Sequence, residues 1–472
     1  MGRLKLGQLL VLLTISTELY AADLRDKIAV SLEDLNYENC TEVTNNLITD
    51  LDNLSSDEML REIKEDGHQS ILSDLWSSKV KFHERLRSFQ RIEKLSPSCA
   101  EGIRGVFRGI RTYEDYVEFN YRHTDSVTFP SSAFEEGNIH VKRHPEFSSF
   151  DLNHDLKSGD IILSRGNAYT SAAISMLGEY DTQFSHLSMV YKDEKGKIWT
   201  VEAHIEVGSF VRPLEDHIKD NNFRTMVFRY DDEALAAKAA EYIFNKVKKA
   251  SDTRGNINYD FGFDNSDSKE LFCSEIASYS FKAASNNTVA IPQFMSRVQK
   301  RKPLFMEQLG ISVNESFIPG DLEVDPRFKM IAEWKDAGRV KDILQKDALI
   351  QSMYEWSDKY NYVLVQSSSK DSLLYRNVAW PLRRVPFLKK YFKDKLPLNM
   401  SRKLIGYFGV LESTGKFLQK KINEKDEVSI NERGLPLLKS EKAQVLEEVR
   451  LEDLRLKKQR LHKMYRPKKS KN

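Results

Sequence analysis

The chain has 472 residues, of which 40% are hydrophobic and 30% are charged, so the composition predicts a globular protein rather than a disordered one. Its 72 basic and 70 acidic residues give a formal net charge of +2, which argues against a nucleic-acid-binding protein. No apolar stretch reaches the roughly 18 residues that a membrane-spanning helix needs, so the sequence predicts none.

The first 22 residues have the pattern of a secretory signal peptide. Arg3 and Lys5 supply the positive start, an apolar run follows, and Ala21 with Ala22 offers a small residue for cleavage. A soluble N-terminal helix is the alternative. The signal pattern predicts export of the mature chain to the periplasm or beyond, if the source is bacterial.

Helices are predicted over the next part of the chain, from 23 to about 125, because charged residues interleave with apolar ones there. Ser55 is a plausible helix start, and the stretch 96–98 is a plausible break. A linker is expected over 126–155, where Pro, Gly, Ser and Asn are frequent. Together, 23–150 is predicted to be a helical domain with a linker.

The middle of the chain, 151–325, changes to an α+β pattern. Short β-rich runs bounded by turn residues lie at 160–163, 187–191, 198–203 and 225–230. Helices are predicted over 232–250 and directly after Cys273. The fold class is therefore expected to be α+β, with helical regions on both sides of this block.

The C-terminal region, 326–472, is predicted to be mostly helical, with a highly charged helix over 441–465. Its last stretch, 455–472, has nine Lys or Arg residues and no acid. This basic tail is expected to be either a solvated helix end or a peripheral contact with an anionic envelope surface.

Three cysteines are present, and an odd number leaves one thiol unpaired in an oxidising compartment. Cys40 and Cys99 lie in the same helical segment and are the candidate disulfide, which would leave Cys273 free. Three buried free cysteines are the alternative, because spacing alone does not decide the connectivity.

A predicted hairpin places a histidine and a glutamate on one face of a sheet. Residues 185–191 and 198–203 alternate polar and apolar side chains, and a turn signal joins them. If the hairpin is symmetric about Glu194, His186 lies directly opposite Glu202, with β-carbons about 4.5–5.5 Å apart. Such a carboxylate orients the imidazole and leaves the other ring nitrogen as a base. A structural polar pair on an exposed sheet face is the alternative.

Cys273 stands where an apolar turn enters a predicted helix. The positive end of a helix dipole favours a thiolate, and the Cys273 amide is placed to help bind an oxyanion. Thiolate, base and orienting carboxylate are the minimum set for nucleophilic acyl transfer. A small buried helix residue is the alternative interpretation of Cys273.

The order of these segments resembles that of the permuted NlpC-type papain-like hydrolases, the YiiX/YaeF-like group. The shared segments, in chain order, are LKSGDII (156–162), SHLSMV (185–190), VEA (201–203), NYDF (258–261), FCSE (272–275) and FIPGD (317–321). In the usual papain-like order the cysteine precedes the histidine, whereas here the histidine hairpin comes first, as in that group. The resemblance covers about residues 155–325.

This resemblance implies a circularly permuted papain-like catalytic domain with an antiparallel sheet. Cys273 would be the nucleophile, His186 the general base and then the acid, and Glu202 the orienting residue. Tyr259 is a candidate for lining the site or donating to the oxyanion. Members of the group need no metal or organic cofactor.

Two neighbours of the triad receive other interpretations. His204 is expected to point to the opposite face of its strand and to be structural. Glu275, near the start of the cysteine helix, is expected either to stabilise the helix N-terminus or to touch substrate. No metal site is predicted: His140 and His144 are four apart, but Pro145 follows and no HExxH glutamate is present.

We therefore expect an exported cysteine hydrolase, an amidase or peptidase, that cleaves an amide bond in cell-wall peptide through an acyl-thioester intermediate. A lipid-directed acyl hydrolase or acyltransferase with the same triad is one alternative, since a thioester serves amides and esters alike. A non-catalytic wall- or membrane-binding protein on a hydrolase scaffold is the other. No cofactor and no nucleic-acid partner is expected.

Overall fold

The computed structural model describes residues 24–124, 139–179, 181–220, 222–253, 255–264, 269–298, 303–311, 313–366, 373–383, 385, 399–457 and 459–468. The predicted signal peptide and residues 125–138 of the predicted linker lie outside the described residues.

The helices are numbered in chain order. They are α1 (Leu24–Asp34), α2 (Cys40–Asp52), α3 (Ser56–Asp66), α4 (His68–Arg91), α5 (Pro97–Thr124), α6 (Tyr169–Ser175), α7 (Leu214–Ile218), α8 (Glu233–Thr253), α9 (Glu275–Ala284), α10 (Pro303–Leu309), α11 (Val340–Tyr360), α12 (Trp380–Leu382), α13 (Arg402–Arg433), α14 (Lys439–Arg455) and α15 (Leu461–Met464). None of these described helices combines the length and apolar character needed to cross a membrane.

The strands are numbered in the same way. They are β1 (Ile139–Arg143), β2 (Ile161–Arg165), β3 (His186–Lys192), β4 (Ile198–His204), β5 (Gly208–Pro213), β6 (Arg224–Tyr230), β7 (Ser296–Arg297), β8 (Glu315–Ser316), β9 (Phe328–Asp336), β10 (Tyr362–Leu364) and β11 (Tyr465–Pro467).

The N-terminal helices pack around an apolar cluster that also includes residues from later in the chain, among them Val324, Val340 and Leu435. Cys40, at the start of α2, and Cys99, in α5, are joined by a disulfide. The helix start predicted at Ser55 is confirmed by a capping box. The Glu58 amide donates to the Ser55 hydroxyl at 3.2 Å, and the Ser55 amide donates to the Glu58 carboxylate at 3.0 Å.

The main sheet has the order β1-β9-β6-β2-β3-β4-β5, and each neighbouring pair is antiparallel. The predicted α+β fold with an antiparallel sheet is thereby confirmed. Strands β2, β3, β4 and β6 correspond to the predicted β-rich runs. Strand β1 lies in the segment predicted to be a linker, and β9 lies in the region predicted to be helical.

Strand β9 escaped prediction because buried charges interrupt its apolar pattern. Glu333 and Lys335 are almost fully buried in this strand. Lys79 on α4 donates to Glu333 at 2.7 Å and to Glu114 on α5 at 2.7 Å. Removing one partner of such a buried pair typically costs about 3–5 kcal/mol. These ion pairs therefore hold helices α4 and α5 against β9, which lies between β1 and β6 in the sheet.

The C-terminal stretch is not the single helix predicted over 441–465. Helix α14 ends at Arg455 because the Asp453 carboxylate accepts hydrogen bonds from the Arg460 and His462 amides, at 2.7 and 2.9 Å, and turns the chain. The tail then forms α15 and β11, which pairs with β10, and Tyr465 is fully buried. The remainder of the basic tail from 469 lies outside the described residues.

Candidate active site

The predicted nucleophile and base come from two elements that pack together, helix α9 and strand β3. Ser280 on α9 donates a hydrogen bond to the Met189 sulfur on β3 at 3.6 Å. Cys273 lies two residues before α9, and its sulfur accepts a hydrogen bond from the Leu187 backbone. The thiol therefore lies against the peptide bond that joins His186 to Leu187.

The β3–β4 hairpin differs from the prediction by two residues in its register. Tyr191 lies opposite Trp199, and this register places His186 beside His204 rather than opposite Glu202. A shift of two residues keeps every side chain on its face of the sheet. The predicted face is therefore correct, while the predicted direct pairing of His186 with Glu202 is wrong. The two side chains meet diagonally instead.

The turn explains the shift, because it is centred one residue later than Glu194. The Asp193 carboxylate accepts hydrogen bonds from the Lys195 and Lys197 amides, each at 2.9 Å. Gly196 takes a φ of +79°, in the left-handed region that glycine adopts without strain. These contacts fix a five-residue loop and move the centre of the hairpin to Lys195.

The Glu202 carboxylate is fully buried and is the centre of the site. Its Oε2 atom lies 3.0 Å from His186 Nε2. Five side chains donate to the two oxygens: Thr200 (2.6 Å), His186 (3.0 Å), His204 (2.9 Å), His217 (3.0 Å) and Arg212, through Nε (2.7 Å) and Nη2 (2.9 Å). Since a carboxylate only accepts, each facing ring nitrogen carries a proton.

These contacts set the charges of Glu202 and His186. Burial works to raise the pKa of Glu202, but His217 and the hydrogen bonds from His186 and His204 outweigh it and hold that pKa well below its usual range. Burial lowers the pKa of His186 to about 4, against the opposing effect of Glu202. At neutral pH, His186 is therefore a neutral imidazole with Nε2 on Glu202 and Nδ1 left as the base.

The interpretation of His204 as a structural residue on the opposite face is wrong. Glu202 and His204 are two residues apart on β4, so the alternation of a strand sends both side chains to the same face. The His204 ring lies edge-on to the His186 ring, with centroids 4.6 Å apart. Its Nε2 donates to the same Glu202 oxygen as His186 does.

Burial outweighs the predicted preference of the helix N-terminus for a thiolate at Cys273, because it raises the pKa of the thiol by more than the backbone at Ser274 and Cys273 lowers it. Only 2% of the Cys273 surface is exposed. Burial raises the pKa of the Cys273 thiol to about 11, and the hydrogen bond from the Leu187 backbone offsets only part of the rise. At neutral pH the Cys273 thiol and the His186 imidazole are therefore both neutral.

Tyr259 and Glu275 lie near the thiol. Tyr259 is buried, and burial together with the nearby Cys273 raises the pKa of its hydroxyl well above the usual range, so the hydroxyl stays protonated. The Glu275 carboxylate accepts a hydrogen bond from the Phe272 amide at 3.0 Å. Of the two expected roles for Glu275, this contact is the one that stabilises the start of α9.

The site contains residue types that bind metals. The ligating atoms of His186, Glu202 and His204 lie within 4.8 Å of one another. A cation held there would share the Glu202 carboxylate with the permanent positive charge of Arg212, which already donates to both oxygens. We therefore interpret these side chains as a hydrogen-bond network around an anion.

Arg212 and His217 are absent from the site predicted from the sequence. Arg212 lies on β5 opposite Thr200, and a strand position facing Thr200 shares the face of Glu202. A basic residue directly after the apolar pair Phe210–Val211 was the available signal. His217 lies on the short helix α7, and no periodicity places such a helix beside β4.

One of three comparisons with known proteins gave a match. Neither the curated proteins nor the solved structures gave a match to the chain. A family model does match, over residues 155–332, a stretch that contains His186, Glu202, Tyr259 and Cys273. The resemblance predicted from the sequence is confirmed over that stretch, because the matching model is that of the peptidase family C92, described as "permuted papain-like amidase enzyme, YaeF/YiiX".

Proposed function

We propose that this chain is an exported cysteine hydrolase that cleaves an amide bond in cell-wall peptide. The observation that carries the proposal is the position of the Cys273 sulfur against the peptide joining His186 to Leu187. His186 is in turn held by Glu202 at 3.0 Å. The histidine precedes the cysteine in the chain, and we infer from this order that the papain-like domain is circularly permuted.

The proposed reaction starts from the neutral pair. His186 Nδ1 removes the thiol proton as the Cys273 sulfur attacks the carbonyl carbon, and a tetrahedral oxyanion forms. Collapse of this intermediate breaks the C–N bond, and the amine leaves with the proton from His186. Water, deprotonated by His186, then hydrolyses the thioester and regenerates the thiol. Glu202 stabilises the imidazolium that forms in each half of the cycle.

Two observations support export. The first 22 residues have the composition of a signal peptide. The N-terminal helices carry the Cys40–Cys99 disulfide, a bond that persists mainly in oxidising compartments. An exported amidase meets cell-wall peptide as an abundant amide substrate, which is why we propose this substrate first.

The test is hydrolysis of purified muropeptides by wild type and by Cys273→Ala, followed by mass spectrometry of the products. Ser280→Ala, on the helix α9 that follows Cys273, is the matched control and should retain activity. Loss of product with Cys273→Ala alone supports the proposal. Equal rates for Cys273→Ala and wild type would refute the role of the thiol.

A lipid-directed acyl hydrolase is the second candidate, because an apolar pocket lies beside the site. The pocket is lined by Ile205, Tyr259 and Phe261 from the matched domain and by Phe408 and Leu411 from α13. An apolar lining suits an acyl chain better than a polar peptide. Faster Cys273-dependent release from N-acyl or ester lipids than from muropeptides would favour this candidate. Release from neither class would favour a non-catalytic scaffold.

A further inference from the structure

Two imidazoles share one acceptor atom in the site. His186 Nε2 lies 3.0 Å and His204 Nε2 lies 2.9 Å from Glu202 Oε2. Arg212 donates to both oxygens of that carboxylate and keeps it anionic. Each Nε2 therefore carries a proton, and each Nδ1 is the nitrogen that gains or loses the next one.

The two rings cannot both be charged without repelling each other, since their centroids are only 4.6 Å apart. The His204 side chain is more exposed, at 26% against 17% for His186, so water stabilises a charge on His204 better. The extra proton of the pair is therefore expected on His204, which leaves His186 free to act as the base.

We propose that His204 is a positioning residue of the hydrolase site. His204 is the charged imidazole that shares Glu202 Oε2 with His186, and it thereby holds the His186 ring in place and neutral. The inference rests on the proposed function for its relevance to catalysis. It assigns a role to an imidazole outside the proposed triad of Cys273, His186 and Glu202.

The charged and titratable neighbours agree with this assignment. The neighbours that shift the pKa of His186 are Glu202, His204 and His217. The neighbours that shift the pKa of His204 are Glu202, Arg212 and Glu206. Burial lowers the pKa of His204, but the hydrogen bond and charge of Glu202 outweigh it and raise that pKa above its usual value. Burial lowers the pKa of His186, and the charge on His204 lowers it further.

The experiment is a pH titration of the histidine ring Cε1–H resonances in the full chain with labelled histidine. His186→Gln and His204→Gln assign the two resonances by their disappearance. In wild type, His204 should titrate above and His186 below the usual range. In His204→Gln the midpoint of His186 should rise by about one pH unit, because a neighbouring like charge is lost.

Two further variants separate positioning from a purely structural role. His204→Lys keeps a positive charge near Glu202 and should restore the low midpoint of His186. His154→Gln, which removes an exposed imidazole elsewhere, should leave it unchanged. An unchanged His186 midpoint in His204→Gln, or a His204 that is neutral in wild type at pH 6, overturns the inference. These titrations need no substrate, so failure of the proposed hydrolase activity is a separate outcome.

Discussion

Replacing Arg212 with methionine tests whether Glu202 is a buried anion that depends on a guanidinium. The Glu202 side chain has no exposed surface, whereas that of Arg212 is 16% exposed. Methionine keeps much of the aliphatic packing of arginine but removes the charge, the two hydrogen bonds to Glu202 and those to Asp220 and the Asp216 carbonyl. The carboxylate would then rely on Thr200 and the three histidines.

Most of the expected loss comes from the two bonds to the buried carboxylate, Nε to Oε1 at 2.7 Å and Nη2 to Oε2 at 2.9 Å, because the bonds to Asp220 and the Asp216 carbonyl lie at the exposed surface. A hydrogen bond to a charged group contributes about 1.5–3 kcal/mol, so the pair contributes about 3–6 kcal/mol. Because Arg212 is partly exposed and four donors to Glu202 remain, the expected loss of stability lies at the lower end of this range. We expect Arg212→Met to lower the free energy of unfolding by about 3 kcal/mol at pH 7, measured by urea denaturation.

The pH dependence supplies a second readout with a defined sign. The folded-state pKa of Glu202 lies well below its ordinary value of 4.5, so its contribution to stability is present above that value and lost as the pH falls. Loss of Arg212 raises this folded-state pKa. The gap in stability between wild type and variant should therefore be widest near neutral pH and narrow as the pH falls through the raised pKa.

The control is Lys248→Met, which removes an exposed cation paired with Asp252 on the surface of α8. This variant should unfold at the same urea concentration as wild type. If Arg212→Met behaves like Lys248→Met, the carboxylate does not need the guanidinium, and the charge assignment of the site is wrong.

Stability and thiol chemistry offer three further tests. The double variant Cys40→Ser and Cys99→Ser should lose about 4 kcal/mol in urea unfolding, because the bond joins residues separated by 59 positions; an unchanged midpoint would contradict this. Ser55→Ala should lose about 1 kcal/mol in the same assay through its helix cap, and no loss would exclude the capping box as a stabilising contact. The rate at which iodoacetamide alkylates Cys273 should keep rising with pH toward a midpoint of about 11, the pKa of the buried thiol. A rate that already levels off near neutral pH would show that the thiol is a thiolate there and would contradict this pKa.

The alternation of β3 and β4 was enough to predict which side chains share a face. It was not enough to predict their register, because the register depends on the loop that Asp193 and Gly196 close. An error of two residues leaves the polar face intact, so His186 and Glu202 still meet. The same alternation, correctly applied, places His204 beside them.

The state of Cys273 shows a different limit of the sequence. A helix N-terminus can be recognised from local residues, and it does favour a thiolate. Burial depends on distant chain segments that cover the sulfur, and here it dominates the pKa of the thiol. Arg212 on β5 and Glu333 on β9 likewise reach their partners through the order of the strands in the sheet. Local sequence patterns do not encode this order.

The pairing of β9 with the rest of the sheet bears on how the protein can be subdivided. The family match stops at 332, inside β9, and the buried Arg224 on β6 bonds to Asp115 on α5 and Glu333, both outside the match. A recombinant fragment limited to residues 155–332 would lack both carboxylates, so the buried Arg224 guanidinium would have neither of these counter-ions. Expression of this isolated segment should yield aggregate, and soluble protein should require the preceding helices in the same polypeptide.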